Sequence, residues 1–405
     1  MTGMYGPVTD WANDIDHADP EYNARAHEIW DELREGGCPV AHTERYGGMW
    51  APVTHELVHE VAYDTEHFTS RGVVVNTGRP LVEAPVGPAP PITSDPPFHQ
   101  LARRLLLPPF SPKAIDPWES DVRQLCRQLL DDMGDIEPGS TVVDAAVQYA
   151  QHIPVSVISR MLDFPPEDDD YFREVVHLFL ELVNIPVEER VNSPLDLDGY
   201  LDRQIEEHRE HPRDDLTTYL LNAEIDGNKL SHEHVRGSMV LLLIAGIDTT
   251  WSAIGSSLWH LASHPDDLQR LVDEPDLMLF ALEEFLRAYA PVTMARLVAE
   301  DHDFHGCPMK EDEWVLLPFP AANRDPDFFD RAGEFVIDRE ANRHAAFGLG
   351  IHRCLGSNLA RLELRVAIEE FVARFPSFEL AGDTRWSVGQ IRGPRELPIR
   401  VLDTA

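Results

Sequence analysis

Residues 347–356, Phe-Gly-Leu-Gly-Ile-His-Arg-Cys-Leu-Gly, place one thiol, Cys354, in a glycine-punctuated loop. Phe347, Gly348, Gly350 and Gly356 frame it with residues that let backbone pass close to something flat and bulky. The run at 358–371 repeats apolar residues near i, i+3, i+4 and i+7 among strong helix formers, which predicts an amphipathic helix just after the loop. A thiol at a helix N-terminus meets unpaired N–H donors and the positive end of the dipole, and both favour the metal-binding thiolate. One anionic sulfur with no second cysteine nearby suits the axial position of a haem iron better than a zinc site, which usually takes four ligands. The plain alternative for a lone cysteine is a small buried side chain.

Other groups carry chemistry by type and spacing. Ala245-Gly246-Ile-Asp248-Thr249-Thr250 closes an apolar stretch, and an Asp and two Thr inside a greasy helix are costly unless partnered. One reading is a local opening at Gly246 where a small ligand meets a hydroxyl and a carboxyl; the other is Thr back-bonding to the preceding turn and Asp248 in a salt bridge. Glu284 and Arg287 share a helix face at i, i+3, a spacing abundant on surfaces. His99 and Arg103 share a face at i, i+4, after Asp95-Pro-Pro97.

Together these runs resemble the signatures of the cytochrome P450 family in its soluble bacterial form. The Cys loop reads as Phe-x-x-Gly-x-His-x-Cys-x-Gly, with His352 where the family more often carries Arg. The mid-helix run resembles the oxygen-activation motif, the Glu-x-x-Arg pair the structural motif, and 95–103 the bacterial Asp-Pro-Pro-x-His-x-x-x-Arg. The run 322–326, Ala-Asn-Arg-Asp-Pro, has the same look. Lys310-Glu-Asp-Glu313 departs from it, since many relatives have a glycine in that turn.

The resemblance implies a mainly α, single-domain P450 fold with minor β structure, a long central helix over haem b and the Cys loop beneath. It implies Cys354 as iron ligand and His99, Arg103, Arg296 and His352 as propionate partners, with Ala245, Gly246, Phe347 and Gly356 against the macrocycle. Asp248 and Thr249 would deliver protons; Glu284 and Arg287 would be structural. The template places Val73, Val74, Val75, Phe179, Val183, Leu241, Ile244, Val292, Met294 and Ile391 around a compact hydrophobic substrate, each with ordinary core packing as the alternative. Arg71, Arg79 or Arg392 are candidate carboxylate anchors, surface exposure being the alternative. The implied activity inserts one atom of O2, giving hydroxylation, epoxidation or dealkylation. No flavin-binding stretch or iron–sulfur cysteine set is fused, so electrons come from a separate ferredoxin and ferredoxin reductase. A peroxide-driven peroxygenase and a haem-binding sensor are the rivals; the Asp248–Thr249 pair argues against both.

These residues need positioning elements. Helices are predicted at about 20–35 and 55–63, with short strands at 39–43 and 49–53 inside a β-containing region at about 36–70. A long irregular loop is expected at 71–93, then a helical core over about 97–290. Within it one helix runs from Ser231 to the stop at His264-Pro265, about 50 Å long. Short strands, the Cys helix and a β-like tail follow. At 405 residues the chain could form one large domain or two to three smaller ones, and no linker or repeat marks a boundary; the resemblance implies one. The formal charge of −37 argues against nucleic acid and anionic membrane surfaces. The first thirty residues hold no apolar run, and Cys38, Cys126, Cys307 and Cys354 lack paired spacing, so reduced thiols and a cytoplasmic location are expected. Arg103, Arg104, Lys113, Arg343, His344, His352, Arg353, Arg361 and Arg365, against Glu340 and Glu363, suggest a small basic face for an acidic electron carrier.

Overall fold

The computed structural model describes residues 5–37, 39–76, 87–181 and 196–405. Val183, Arg79, Cys38 and part of the 71–93 loop lie outside them. Helix α1 (Pro20–Glu35) starts where Asp19 accepts the Glu21 N–H and Pro20 needs no partner. Strands β1 (Val40–Thr43) and β2 (Met49–Pro52) form a hairpin whose turn holds Tyr46 at φ 60. Helix α2 (His55–Tyr63) is capped by Thr54, and β3 (Phe68–Thr69) follows.

The helical middle comprises α3 (Phe98–Leu106), α4 (Pro112–Ile115), α5 (Glu119–Asp132), α6 (His152–Met161), α7 (Asp169–Glu181), α8 (Leu197–Glu210) and α9 (Leu216–Asn222). It is interrupted by strand β4 (Val142–Asp144), which the helical expectation over that stretch did not include. The β-branched pair Val142-Val143 follows the Pro138-Gly139 break and pairs with the tail at Arg400 and Ile399. A small hairpin, β5 (Glu224–Ile225) and β6 (Asn228–Lys229), precedes the long helix α10 (His232–Ser263). Ser231 caps α10 by accepting the His234 N–H, and the helix stops at His264 before Pro265. It is α-helical throughout, without the local opening at Gly246 that one of the two readings allowed.

Helices α11 (Pro265–Asp273) and α12 (Met278–Ala288) lead to β7 (Thr293–Val298), the hairpin β8 (His302–Phe304) and β9 (Cys307–Met309), and β10 (Trp314–Pro318). A short α13 (Phe319–Ala322) precedes the Cys loop, and α14 (Ser357–Arg374) follows it. The tail supplies β11 (Ser377–Leu380), β12 (Arg385–Trp386), β13 (Pro394–Glu396) and β14 (Pro398–Asp403).

The main sheet runs β1-β2-β10-β7-β3, antiparallel except where β2 meets β10; β11-β14-β4 form a second. The larger apolar core joins α5, α6, α10, α12 and α14; separate clusters lie between α1 and the main sheet and under α2. Each fully buried Leu, Ile or Phe contributes roughly 1.5–3 kcal/mol. Helix α10 is long and apolar enough to cross a membrane, but it packs against α6, α7 and α14 as the central strut of the helical layer.

Candidate functional site

The Cys loop is built by its glycines. Gly348 (φ 72) and Gly350 (φ 68) occupy the left-handed region, and a Cβ on Gly350 would sit 2.0 Å from the Ala62 carbonyl oxygen at the end of α2. Gly350 is therefore required by close approach to α2, not by a flat ligand. The Cys354 N–H donates to the Phe347 carbonyl at 2.7 Å and closes the loop. Behind it Arg361 stacks 4.4 Å over the Phe347 ring and grips Glu283 with two bonds of 2.6 and 2.8 Å. Burial works to raise the Glu283 carboxyl, but Arg361 and His344 outweigh it and hold it at about 2.

Cys354 lies three residues before α14. Its side chain has accessible surface, yet burial is the largest influence on the thiol, so that surface faces inward. Burial pushes the thiol up, against the Gly356 N–H and the charges of Arg103, Arg361 and Arg353. The N–H donor at the start of the helix does favour the thiolate, as expected, but burial is the larger effect and the net shift is upward.

Four groups from three segments, helix α3, strand β7 and the Cys loop itself, gather on this side of the loop. His99, on α3, is 1 % exposed, and neither ring nitrogen has a hydrogen-bond partner. Its ring centre is 4.4 Å from that of His352, whose Nε2 is 2.8 Å from Ser70 Oγ. Arg103 donates to the Arg353 carbonyl, and buried Arg296, on β7, donates to the Ala295 carbonyl at 2.7 Å. Burial, then Arg103, bring His99 down to about 4; burial, then Arg296, bring His352 down to about 2. Burial lowers Arg296 to about 10, and Asp95 opposes it. Asp95 is itself tied to the Ser70 N–H at 2.8 Å and to the Thr69 hydroxyl. Two arginines, Arg296 buried and Arg103 half-buried, beside His352 and the buried, orphaned His99, fit the two carboxylates of a haem.

On α10 the surface alternates sharply. Ala245 is exposed in mid-helix while Ile247, Asp248 and Thr250 are buried; Leu241, Ile244 and Thr249 are half-buried. Gly246 turns toward α6, where a Cβ would meet Ile158 at 3.5 Å, so its side does not present the flat contact expected of it. Thr249 Oγ1 donates to the Ala245 carbonyl at 2.8 Å. Asp248, 2 % exposed, is ion-paired with Arg395 of β13 at 2.8 Å, and Arg395 also donates to Ser252 Oγ at 3.1 Å and stacks 4.3 Å over Trp251. Both bonds of the plainer reading are present.

Val292 and Ile391 meet in an isolated β-bridge, and Met294 lies two residues on from Val292, in β7. The Val73 carbonyl accepts the Ala295 N–H at 3.0 Å, and Val73 and Val74 keep partial exposure. Val75 does not line a pocket: fully buried, it packs into the cluster under α1, with its N–H on Gln390 Oε1 at 2.6 Å. Phe179 is 51 % exposed and lines an outward-opening cleft of about 570 Å³ with Phe98, His234, Gly237 and Val240. Arg71 is engaged by Asp312 at 3.1 Å. Arg392 stacks 5.0 Å over Trp386 with Tyr22 and Tyr289 as its electrostatic neighbours.

Glu284 and Arg287 are both 0 % exposed, so the surface-pair reading is wrong for them. Arg287 uses every N–H: Nε and Nη2 on Glu284, Nη1 on the Asn323 and Ala332 carbonyls, and Nη2 again on the Glu334 carbonyl. Glu284 also takes Arg339 Nε, Asn342 Nδ2 and the Val336 N–H. Asn323, in the 322–326 run, carries the Ala345 N–H on its Oδ1 and so links this network to the approach of the Cys loop. Of the groups the sequence reading missed, Asn323 and Asp95 sat inside runs already conspicuous; Arg339, Arg395, Gln390 and Ser70 had no local signal.

The fold and this site are those of a haem-thiolate protein. The sequence model of the family described as "Cytochrome P450" matches residues 175–387, and the chain belongs to that family, whose members bind haem through a cysteine thiolate. It is 31% identical over 391 residues to cytochrome P450 107B1 of Saccharopolyspora erythraea, covering 92% of this chain and 94% of that one. It is 37% identical over 303 residues to the vitamin D(3) 25-hydroxylase of Pseudonocardia autotrophica, 74% of each. The crystal structure of CYP109E1 from Bacillus megaterium, in complex with testosterone, superposes with a TM-score of 0.84 at 30% identity, covering 94% and 99%. The protein is a P450 oxidoreductase, a haem monooxygenase using O2, a small organic substrate and redox partners.

Proposed function

We propose that the chain hydroxylates or epoxidises a compact hydrophobic molecule, with a haem whose iron Cys354 would hold and whose propionates His99, Arg103, Arg296 and His352 would hold. The observation that carries this is the buried, orphaned His99 beside the arginines Arg103 and Arg296, next to an inward-facing sulfur. Burial disfavours the Cys354 thiolate, and a cation bound directly to sulfur offsets that. When bound, haem supplies dioxygen activation and transfer of one oxygen atom.

The remaining roles belong to side chains. Ala245 offers the least bulky surface on the accessible face of α10, with Phe347 and Gly356 completing the bed on the loop side. Leu241, Ile244, Val73, Val74, Val292, Met294 and Ile391 exclude water and orient the substrate. Their apolar character favours a hydrophobic substrate, in keeping with the relative named as a vitamin D(3) 25-hydroxylase and the related structure solved in complex with testosterone. Thr249 Oγ1 holds the inner proton position. Asp248 carries protons to it by leaving Arg395, which fixes the resting carboxylate at 2.8 Å. Arg104, Lys113 and Arg353, exposed and without acidic partners among the described residues, present the docking face for an acidic ferredoxin served by its reductase in the cytoplasm. The wider basic face does not survive: His344 and Arg361 pair with Glu283, Arg365 pairs with Glu119 and Glu369, and His352 is internal.

Turnover with NADH and surrogate ferredoxin components, compared with hydrogen peroxide alone, tests the assignment. Product must depend on the electron chain; equal or better turnover with peroxide makes the protein a peroxygenase, and no product by either route leaves the sensor reading. Cys354→Ser must abolish the thiolate band in the carbon monoxide difference spectrum. Thr249→Ala must lower product formed per electron consumed.

A further inference from the structure

We propose that Asp163, His208 and Asp215 form a binding site for a divalent transition ion, zinc being the best fit, which ties the end of α6 to the α8–α9 turn. The site takes no part in the oxygen chemistry. His208 stands in the last turn of α8 with its side chain 0 % exposed. Its Nδ1 lies 2.7 Å from the Gln204 carbonyl, which can only accept, so Nδ1 carries the proton. In the neutral ring Nε2 is then a bare lone pair. It makes no hydrogen bond and points between two carboxylates, 3.8 Å from Asp163 Oδ2 and 3.7 Å from Asp215 Oδ1.

Those distances decide between two readings. A doubly protonated ring would close one contact to about 3 Å, as charge-assisted N–H···O bonds do. Three donors around a tetrahedral zinc, with bonds near 2.1 Å, lie about 3.4 Å apart. The three donor atoms here fall within 4.8 Å of one another; the two histidine edges, at 3.7 and 3.8 Å, need to close by only a few tenths of an ångström, and the edge between the carboxylates closes by rotation of the two aspartates. A metal-binding histidine also typically donates its other nitrogen to a carbonyl, which sets its tautomer and orientation. The Gln204 bond is that arrangement.

The carboxylates are already positioned. Asp215 caps α9, taking the Thr218 N–H at 2.8 Å and its hydroxyl at 2.9 Å. Asp163 Oδ2 takes Arg213 Nη1 at 2.6 Å, and Arg213 also reaches Glu207. Each carboxylate has lone pairs beyond those bonds. Arg213 is the competitor that tunes affinity downward, while the strong negative charge of the chain draws divalent cations toward it. Water completes the shell on the exposed Asp163 side.

The test uses the untagged, haem-loaded full chain, stripped with a chelator and titrated with Zn²⁺ against a chromophoric competitor, with elemental analysis for stoichiometry. One zinc per chain is expected, with a rise in the thermal midpoint that the chelator reverses. Asp163→Asn and Asp215→Asn keep the turn and the cap but remove the charge, and each is expected to weaken binding about 10- to 100-fold. The haem spectrum of each variant reports that it has folded. Absence of saturable binding, or one zinc retained with unchanged affinity by the double Asn variant, overturns the site.

Discussion

Glu284→Gln isolates what the buried ion pair contributes. In the native network one carboxylate faces two guanidiniums, Arg287 and Arg339, and accepts five hydrogen bonds. The amide removes the only negative charge of the group and turns one acceptor into a donor that points at donors. Arg287 is then a fully buried cation held by carbonyls alone. Breaking one partner of a buried pair costs about 3–5 kcal/mol, whereas an exposed i, i+3 pair contributes about 0.2–0.5 kcal/mol. The two readings of the same spacing thus differ roughly tenfold. Urea unfolding followed by far-UV circular dichroism, at matched haem occupancy so that ligand linkage cancels, measures the difference. The midpoint should fall with unchanged slope by an amount equivalent to at least about 3 kcal/mol. Arg287→Lys should lose most of the same stability, because an ammonium has three donors where all five guanidinium N–H groups are in use. A loss under about 1 kcal/mol in both variants would refute the reasoning.

Gly350→Ala should displace the Cys loop, since its Cβ would lie 2.0 Å from the Ala62 oxygen at a φ of 68; Gly333→Ala, with nothing within 4 Å, is the silent control. The measurement is haem retained after gel filtration. Glu363, buried on α14 without an ion-pair partner among the described residues, has its carboxyl raised by burial from the ordinary 4.5 to about 8. The folded chain therefore holds that proton more tightly than the unfolded chain, and its contribution is full below about pH 4.5 and lost as pH rises through about 8. Glu363→Gln should flatten that decline and gain on the order of a few kcal/mol at pH 8–9 in the same unfolding assay; an unchanged pH slope contradicts it. Asp248→Asn should slow turnover and enlarge the solvent isotope effect while leaving the substrate-induced spin shift intact. Loss of the spin shift would make Asp248 a structural residue.

What the sequence disclosed was chemistry carried by short spacings. His99 and Arg103 are one helical turn apart, and Ser231 announces the start of α10 by a local cap. Such features depend on residues a few positions away, and local backbone geometry transmits them faithfully. The helix boundaries at 20–35 and 55–63 were legible for the same reason. Strand β4 was not, because two valines become a strand only when a chain end more than two hundred residues later lies beside them.

The pocket shows where local reading stops. Val73, Val74 and Val75 are chemically identical, yet Val73 binds β7 through its carbonyl while Val75 is drawn under α1 by Gln390. In irregular backbone no period assigns faces, so a uniform run cannot say which valine meets a substrate. Asp248 makes the same point with charge. Its type and place foretold that a buried carboxylate needs a partner, but the partner is Arg395, 147 residues on, in a strand whose own sequence bears no mark of it. The resting state of the proposed proton path is therefore set by the C-terminal β-structure packed behind α10. Substitutions in β13, distant from Thr249 along the chain, should then change proton delivery more than substitutions of the apolar residues flanking Asp248 on its own helix.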